Sequence, residues 1–266
     1  MPELPEVETI KRDLEKVILG KKIIEVCVHN PAVIRQPQPV AFKKSLKGVV
    51  IKNILRRAKL LIFELSNGLF LTMHLKMTGQ LVYPGGSKHS RVAFYFSDGS
   101  ILDFNDQRLF GELRLVSDWK KLKFVQALGA EPFDLDVKVF KGMLAKKKTK
   151  IKPLLLDQTF ISGIGNIYAS EILFRAKINP ERSSQSLTES EKEMLYHKTK
   201  QVLTSAIKHG GSSVDDYVRL SGKLGSYGKL HQVYGREGKL CFACKSPVKR
   251  IAQGGRGTYF CPRCQK

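Results

Sequence analysis

The sequence predicts an α+β, multidomain protein: an N-terminal helix leading into a two-layer β-sandwich, a helical middle segment, and a small C-terminal ribbon built around zinc. Three observations predict it. Residues 5–19 carry apolar side chains at helical spacing and are followed, up to about residue 130, by short strand-like runs separated by turn signals. From Asp134 to about Tyr217 the periodicity turns helical. Two Cys-x2-Cys pairs then lie near the end of the sequence. The divisions expected from these changes are 1–131, 132–225 and 226–266.

Val7, Ile10, Leu14, Val17 and Ile18 mark one face of the first helix, and Gly20 sits where a C-terminal cap belongs. The strand-like runs are Ile23–Val28, Val49–Leu55, Leu60–Leu65, Leu69–Leu75, Arg91–Phe96 and Ile101–Phe104. Asn67-Gly68 and Asp98-Gly99 fall between neighbouring runs and read as hairpin turns. Several short strands at this spacing imply a sandwich. In the middle segment the strongest helices are 166–178 and 188–209; Thr188 and Glu191 fit a capping box, and Gly210-Gly211 ends the second helix. Glycines 222, 225, 228, 235 and 238 predict a mobile connection to the ribbon.

The 266 residues suffice for a sizeable core, and 42% hydrophobic content is ordinary for a globular chain. No apolar run reaches the about 18 residues of a membrane span. The N-terminus carries Glu3, Glu6 and Glu8 and lacks the apolar stretch of a secretory signal, so a cytoplasmic protein is expected; oligomeric state is not encoded visibly, and a monomer is the default expectation. The charge is less ordinary: 46 Lys and Arg against 24 Asp and Glu give +22. A polyanion is the partner such a balance fits. Nucleic acid is favoured over an anionic membrane because no long amphipathic basic helix stands out; a merely solvated basic surface is the alternative.

Cys241-x2-Cys244 and Cys261-x2-Cys264 are separated by sixteen residues, the spacing of a zinc ribbon. Four thiolates close a tetrahedral shell, so the expected cofactor is one structural Zn2+ per chain, with no redox or organic cofactor. Two disulfides are the competing arrangement, and Cys27 reads as a buried thiol in a strand. Arg256, in a Gly-Gly-Arg-Gly turn, could project far from the ribbon backbone.

Pro2 is the most chemically distinctive residue. Removal of the initiator methionine would leave a secondary amine that can attack an aldehyde carbon and form an iminium, an electron sink, with Glu3 beside it for proton transfer. The competing reading is that Pro2 and Pro5 stiffen the start of a helix. Gly163-Ile164-Gly165-Asn166 precedes a helix and fits a phosphate site as well as a simple tight turn. His74-Leu75-Lys76-Met77-Thr78-Gly79 and Asp106-Gln107-Arg108-Leu109-Phe110-Gly111 each leave a strand for a loop. Met77 and Phe110 could serve the core, but Arg108 beside Phe110 pairs a guanidinium with an apolar wedge, a combination that fills the gap left by an extruded base.

These stretches, with PELPEVET at 2–9, RRAK at 56–59, IKPLLLDQ at 151–158, GIGNIYASEILF at 163–174 and GRGTYFCPRCQ at 255–265, resemble the formamidopyrimidine-DNA glycosylase and endonuclease VIII family over the whole chain. The resemblance implies a helix–two-turn–helix middle domain and a bifunctional glycosylase and abasic-site lyase of base excision repair. Its substrates would be 8-oxoguanine and formamidopyrimidines in duplex DNA, or abasic sites, with strand nicking by β,δ-elimination. It implies Pro2 as nucleophile on C1′, Glu3 as acid and base at the sugar, Glu6 as active-site support, and catalytic contributions from Lys59 and Lys152. Met77, Arg108 and Phe110 would fill the void, Arg108 facing the orphan base, while His74, Asn166 and Arg256 would contact DNA. Gln107 and Leu109 depart from the family pattern, which has proline and a second basic residue there; the latter points to a weaker or different orphan-strand contact. Leu4 favours the oxidised-purine branch over the oxidised-pyrimidine one. A non-catalytic zinc-ribbon DNA binder would keep the charge and the ribbon but has no use for Pro2-Glu3.

Overall fold

A computed structural model describes residues 1–214 and 217–266. They gather into two compact units, 1–126 with 209–228, and 127–208 with 229–266. Residues 209–228 thus return to the first unit, whereas the sequence places them at the end of the helical segment and in the connection. The reason is burial: Tyr217 and Leu220 belong to the first unit's core.

In the first unit α1 (Leu4–Ile18) precedes nine strands. They are β1 (Ile23–Val28), β2 (Ile34–Gln36), β3 (Ile51–Arg57), β4 (Leu60–Leu65), β5 (Phe70–His74), β6 (Gly79–Val82), β7 (Ser90–Phe96), β8 (Ile101–Asp106) and β9 (Glu112–Val116), with α2 (Pro39–Leu46) between β2 and β3 and α3 (Lys123–Gln126) after β9. One sheet runs β1-β7-β8-β6 and the other β2-β9-β5-β4-β3. Val26, Phe94 and Phe104 from the first sheet share one core with Phe63, Met73 and Leu113 from the second, and α1 adds Val7, Ile10, Leu14 and Ile18. The helical spacing of those four residues is what buries one face of α1. β4 is apolar on both faces because Leu60 and Ile62 turn away from the sandwich onto Val125, with Trp119, Leu122 and Phe124 around them.

The strands missing from the sequence reading are β2, β6 and β9. The first two have three and four residues, too few for an alternation to register. β9 alternates Glu-Leu-Arg-Leu-Val, and its charged half conceals it. Gly68 and Gly99 adopt left-handed φ values of 78° and 82° at the two hairpin turns the sequence marks.

The second unit holds α4 (Val137–Ala145), α5 (Ile151–Leu156), α6 (Asn166–Arg175), α7 (Glu189–Lys208) and the ribbon hairpin β10 (Lys249–Gln253) and β11 (Arg256–Phe260). The expected capping box forms: Thr188 N donates to Glu191 Oε2 at 2.8 Å and Glu191 N to Thr188 Oγ1 at 3.2 Å. The buried Glu171 carboxylate on α6 accepts from the backbone N–H groups of Gln232, Val233 and Tyr234 at 2.9–3.0 Å, holding the turn that leads into the ribbon. No described helix is long and apolar enough to cross a membrane.

Candidate active site and nucleic-acid interface

Pro5 lies in the first turn of α1, where proline removes no helical hydrogen bond, whereas Pro2 lies ahead of the N-cap residue Glu3. The helix-start role therefore belongs to Pro5. Glu6 fixes the backbone at this point. Its Oε2 accepts from Glu3 N at 2.8 Å and its Oε1 from Ser212 N at 2.8 Å, with the side chain buried. A Cβ on Gly211 would sit 2.8 Å from that Oε1, and Gly211 has a left-handed φ of 81°, so glycine is required on both counts. Burial and the nearby Glu6 and Asp13 carboxylates push the Tyr217 phenol above its ordinary range. Its hydroxyl donates to Gly210 O at 3.0 Å, and Arg219 clasps Asp13 of α1 through two bonds of 2.7 and 3.0 Å.

Lys59 is brought to the N-terminal helix by the β3–β4 hairpin. Arg57 pairs with Leu60, leaving Ala58 and Lys59 as a two-residue loop. Ala58 has φ 53°, a conformation in which glycine is the usual tenant of such loops, and its carbonyl accepts from Arg56 Nη1 at 3.0 Å. Arg56 also pairs with Glu8 of α1 at 2.9 Å, fastening the helix to the strand end that carries Lys59. Burial raises the Glu8 pKa, but the hydrogen bonds and charges of Arg56 and Arg12 outweigh it and hold the carboxyl below its ordinary range. Lys59 itself is only 8% exposed.

His74 ends β5 opposite Leu60. Its Nδ1 accepts from Lys76 N at 3.0 Å, which leaves Nε2 as the protonated nitrogen of a neutral ring, a donor suited to a phosphate oxygen. Burial first, then the charges of Lys76 and Lys59, lower its pKa to about 3. The sign follows from linkage: between the unfolded value near 6.5 and about 3, the unfolded chain holds the proton and the folded one does not. Wild type is therefore expected to lose stability relative to His74→Gln as pH falls below 6.5, by at most about 1.4 kcal/mol per pH unit. Urea unfolding of both proteins at pH 7 and pH 5 checks it; equal losses would count against the neutral ring.

Met77 and Phe110 are 38% and 47% exposed, large apolar side chains left outside the core. The Arg108 guanidinium lies 4.8 Å from the Phe110 ring centre, a cation–π contact. The left-handed residues Lys76 (φ 52°) and Leu109 (φ 57°) flank these side chains. Leu109 packs onto the sandwich core, which explains why an apolar residue fits at a place where the family pattern has a basic one. Asp106, to which the sequence reading gives no role, accepts hydrogen bonds from both loops. Only its place in the DQRLFG stretch pointed to it.

In the second unit Gln158 braces the glycine turn: its Oε1 accepts from Gly163 N at 2.9 Å and its Nε2 donates to Ile164 O at 2.8 Å. Asn166 follows as the first residue of α6, at the positive end of the helix. Its Nδ2 donates to Gly257 O at 3.0 Å. Lys152 is 1% exposed, and its ammonium donates to Asn166 Oδ1 at 2.6 Å, Thr258 Oγ1 at 2.7 Å and Gly257 O at 3.3 Å. All three are oxygen acceptors suited to an ammonium, which donates and never accepts. Arg256 is exposed at the start of β11, directly after Gly254 and Gly255, whose positive φ values make the two-residue turn type I′.

The four ribbon thiols lie within 4.8 Å of one another, with Cys241 to Cys264 at 3.9 Å and Cys244 to Cys261 at 3.4 Å. A tetrahedron with Zn–S bonds of about 2.3 Å has edges of about 3.8 Å, so the set fits a structural zinc ion. All five cysteines are free thiols, so the disulfide alternative does not form. Cys27 is half-buried on β1, with Sγ 3.6 Å from Glu25 Oε1.

A helix-capped sandwich with an N-terminal proline, a helical segment with a glycine turn, and a four-cysteine ribbon together define the class of zinc-finger DNA glycosylases. Residues 1–113 match the formamidopyrimidine-DNA glycosylase N-terminal domain, 128–218 its H2TH domain, and 238–266 the zinc finger found in FPG and IleRS. The chain is 44% identical to the formamidopyrimidine-DNA glycosylase of Pelotomaculum thermopropionicum and 42% identical to that of Streptococcus pneumoniae, in each case over 100% of this chain and 99% of the relative. Among solved structures it is similar to a mutant of the Lactococcus lactis FPG in complex with a Fapy-dG containing DNA (TM-score 0.92, 40% identity, 100% of both chains). It is also similar to the MutM (Fpg) protein of Thermus thermophilus (TM-score 0.90, 40% identity, 99% and 98% covered). The chain belongs to the formamidopyrimidine-DNA glycosylase family.

Proposed function

We propose that this protein removes oxidised purines, 8-oxoguanine and formamidopyrimidines, from duplex DNA and then nicks the strand, with Pro2 as the nucleophile. The observation that carries this reading is the placement of Pro2 outside α1, next to Glu3, whose amide is held by the buried Glu6. Similar solved structures were determined with Fapy-dG and abasic-site DNA, which supports a damaged nucleotide as substrate.

Loss of Met1 frees the Pro2 nitrogen. Its lone pair attacks C1′; the glycosidic bond breaks and the base leaves with the bonding electrons and gains a proton. Glu3 protonates O4′ as the sugar ring opens, and nitrogen and C1′ become an iminium. The cation acidifies C2′–H; its loss expels the 3′ phosphate, and a second elimination expels the 5′ phosphate. A free α-amine titrates near 8, and the like charge of a nearby lysine favours its neutral form. Lys59, on the hairpin fastened to α1, fills that role. Met77, Arg108 and Phe110 occupy the space of the extruded nucleotide and lower its unstacking cost of a few kcal/mol. Lys152 is a positioning residue that aligns Asn166 with the ribbon turn. The ribbon cysteines would hold zinc, which supplies folding energy to the hairpin bearing Arg256.

Single-turnover excision from 8-oxoguanine:C and thymine glycol duplexes tests the reading. Faster release of 8-oxoguanine is expected. The opposite preference would assign the chain to oxidised pyrimidines, and salt-sensitive binding without base release would make it a binding protein. Arg256→Ala is expected to flatten the log K against log[salt] slope by about 0.9, the share of one phosphate. An unchanged slope would remove Arg256 from the phosphate contacts.

A further inference from the structure

We propose that the Thr78–Asp106 hydrogen bond locks the two wedge-bearing loops of the first unit together, so that Met77 and the Arg108–Phe110 pair enter DNA as one rigid body. The inference rests on the reading of Met77 and Phe110 as void fillers.

Asp106 is the last residue of β8 and is 1% exposed. Its Oδ1 accepts from Thr78 Oγ1 at 2.5 Å and from Arg108 N at 3.2 Å; its Oδ2 accepts from Gly111 N at 2.6 Å. Arg108 N is also 3.2 Å from Thr78 Oγ1, so the hydroxyl touches both the carboxylate and the second loop's backbone. The Asp106 carbonyl accepts from Arg91 Nε at 2.9 Å, which anchors the residue from the neighbouring strand. One carboxylate thus sits between the residue after Met77 and the residues on both sides of Leu109-Phe110.

The chemistry of the junction demands a carboxylate. Every group turned toward it is a donor, and both oxygens are in use, so an asparagine would set an N–H against one of those donors. Bonds to an ionised acceptor are roughly twice as strong as neutral ones, and burial makes an unmet partner costly. Both loops also end on glycines with no room for a side chain, Gly79 against the start of its own loop and Gly111 against Phe104. A Cβ on Gly79 would lie 2.4 Å from Leu75 O, and one on Gly111 would lie 2.5 Å from Phe104 Cζ and 2.9 Å from Asp106 Oδ2. The shared carboxylate, bonded to Thr78, Arg108 and Gly111, sets the position of both loop backbones. Ordering one wedge side chain therefore orders the other, and removing either weakens the contribution of its partner.

A double-mutant cycle reads this coupling. Single-turnover release of 8-oxoguanine is measured for Met77→Ala, Phe110→Ala and the double variant, first with Thr78 and then in Thr78→Val, with melting temperatures recorded for all. With Thr78 the double variant is expected to lose at least about fivefold less rate than the product of the two single losses; in Thr78→Val the product should hold within about twofold. Thr78→Ser keeps the hydroxyl and should retain the coupling. Should Thr78→Val not fold, Thr78→Ala takes its place, since any water entering there is not tied to β6. Coupling that survives loss of the hydroxyl, or additive losses with Thr78 in place, would overturn the proposal. Unchanged rates in both single variants would instead overturn the void-filling reading, and the proposal with it.

Discussion

An alanine inserted between Met1 and Pro2 abolishes borohydride trapping of the protein on lesion DNA: this is the expected result of turning the secondary amine into an amide, whose nitrogen lone pair is delocalised into the carbonyl and cannot attack. The insertion leaves Pro5, the Glu6 contacts and the α1 core untouched, so melting temperature and lesion-DNA affinity should stay close to wild type. Pro2→Gly keeps an amine but gives up the proline ring, and its adduct should fall sharply without vanishing. Glu3→Gln removes the proton-transfer group proposed to act at the sugar and should lower the single-turnover rate about 10²- to 10⁴-fold. Peptide mapping of the trapped adduct is the decisive reading. Deoxyribose attached to Lys59 or another lysine, with Pro2 unmodified, would move the nucleophile elsewhere in the chain.

Cys244→Ser is expected to unfold the ribbon. The buried apolar centre of that element is Val233, Val248 and the ligands Cys241 and Cys261, with Tyr259 and Phe174 packed against it, too little to offset the chain entropy of its residues. Metal binding is then folding free energy, about 10–16 kcal/mol for structural zinc in small finger peptides at neutral pH. The damage should spread within the second unit, because Lys152 and Asn166 lose Gly257 and Thr258 as partners and leave a buried ammonium short of acceptors. Expected readings are about one zinc per chain in wild type, release of that zinc with a mercurial reagent, and collapse of DNA affinity in the variant. Wild-type DNA affinity in the variant would separate the ribbon from the binding surface.

Local signals carried much of this molecule. Helical spacing from Val7 to Ile18, the Asn67-Gly68 and Asp98-Gly99 turns, the Thr188–Glu191 box and the cysteine spacing each encode their structure within about twenty residues, the range over which periodicity, capping and turn chemistry act. What stayed hidden depends on partners distant in sequence. Glu6 meets Ser212, and Asp13 meets Arg219, each 206 residues on. Lys152 closes the basic stretch KKKTKIK at 146–152 and reads there as one more cation until its partners at 257 and 258 are known. Asp106 looked like a strand end because nothing in a linear motif shows that Thr78 and Gly111 turn toward the same carboxylate. The glycines after Leu220 mislead in the opposite direction: composition points to a free connection, yet Tyr217, Leu220 and Tyr227 are buried around them.

The interleaving of the two units bears on how such a gene can be cut. The polypeptide passes from one unit to the other after residues 126, 208 and 228, so each unit is stitched from two separate stretches. A fragment ending at residue 131 would carry Pro2 yet lack the tyrosine and leucine that complete its interior, and its Glu6 would have no amide from position 212 to receive. Recombinant halves joined at that boundary would deliver a damaged sandwich, so a cut that keeps the first unit whole must fall after residue 228.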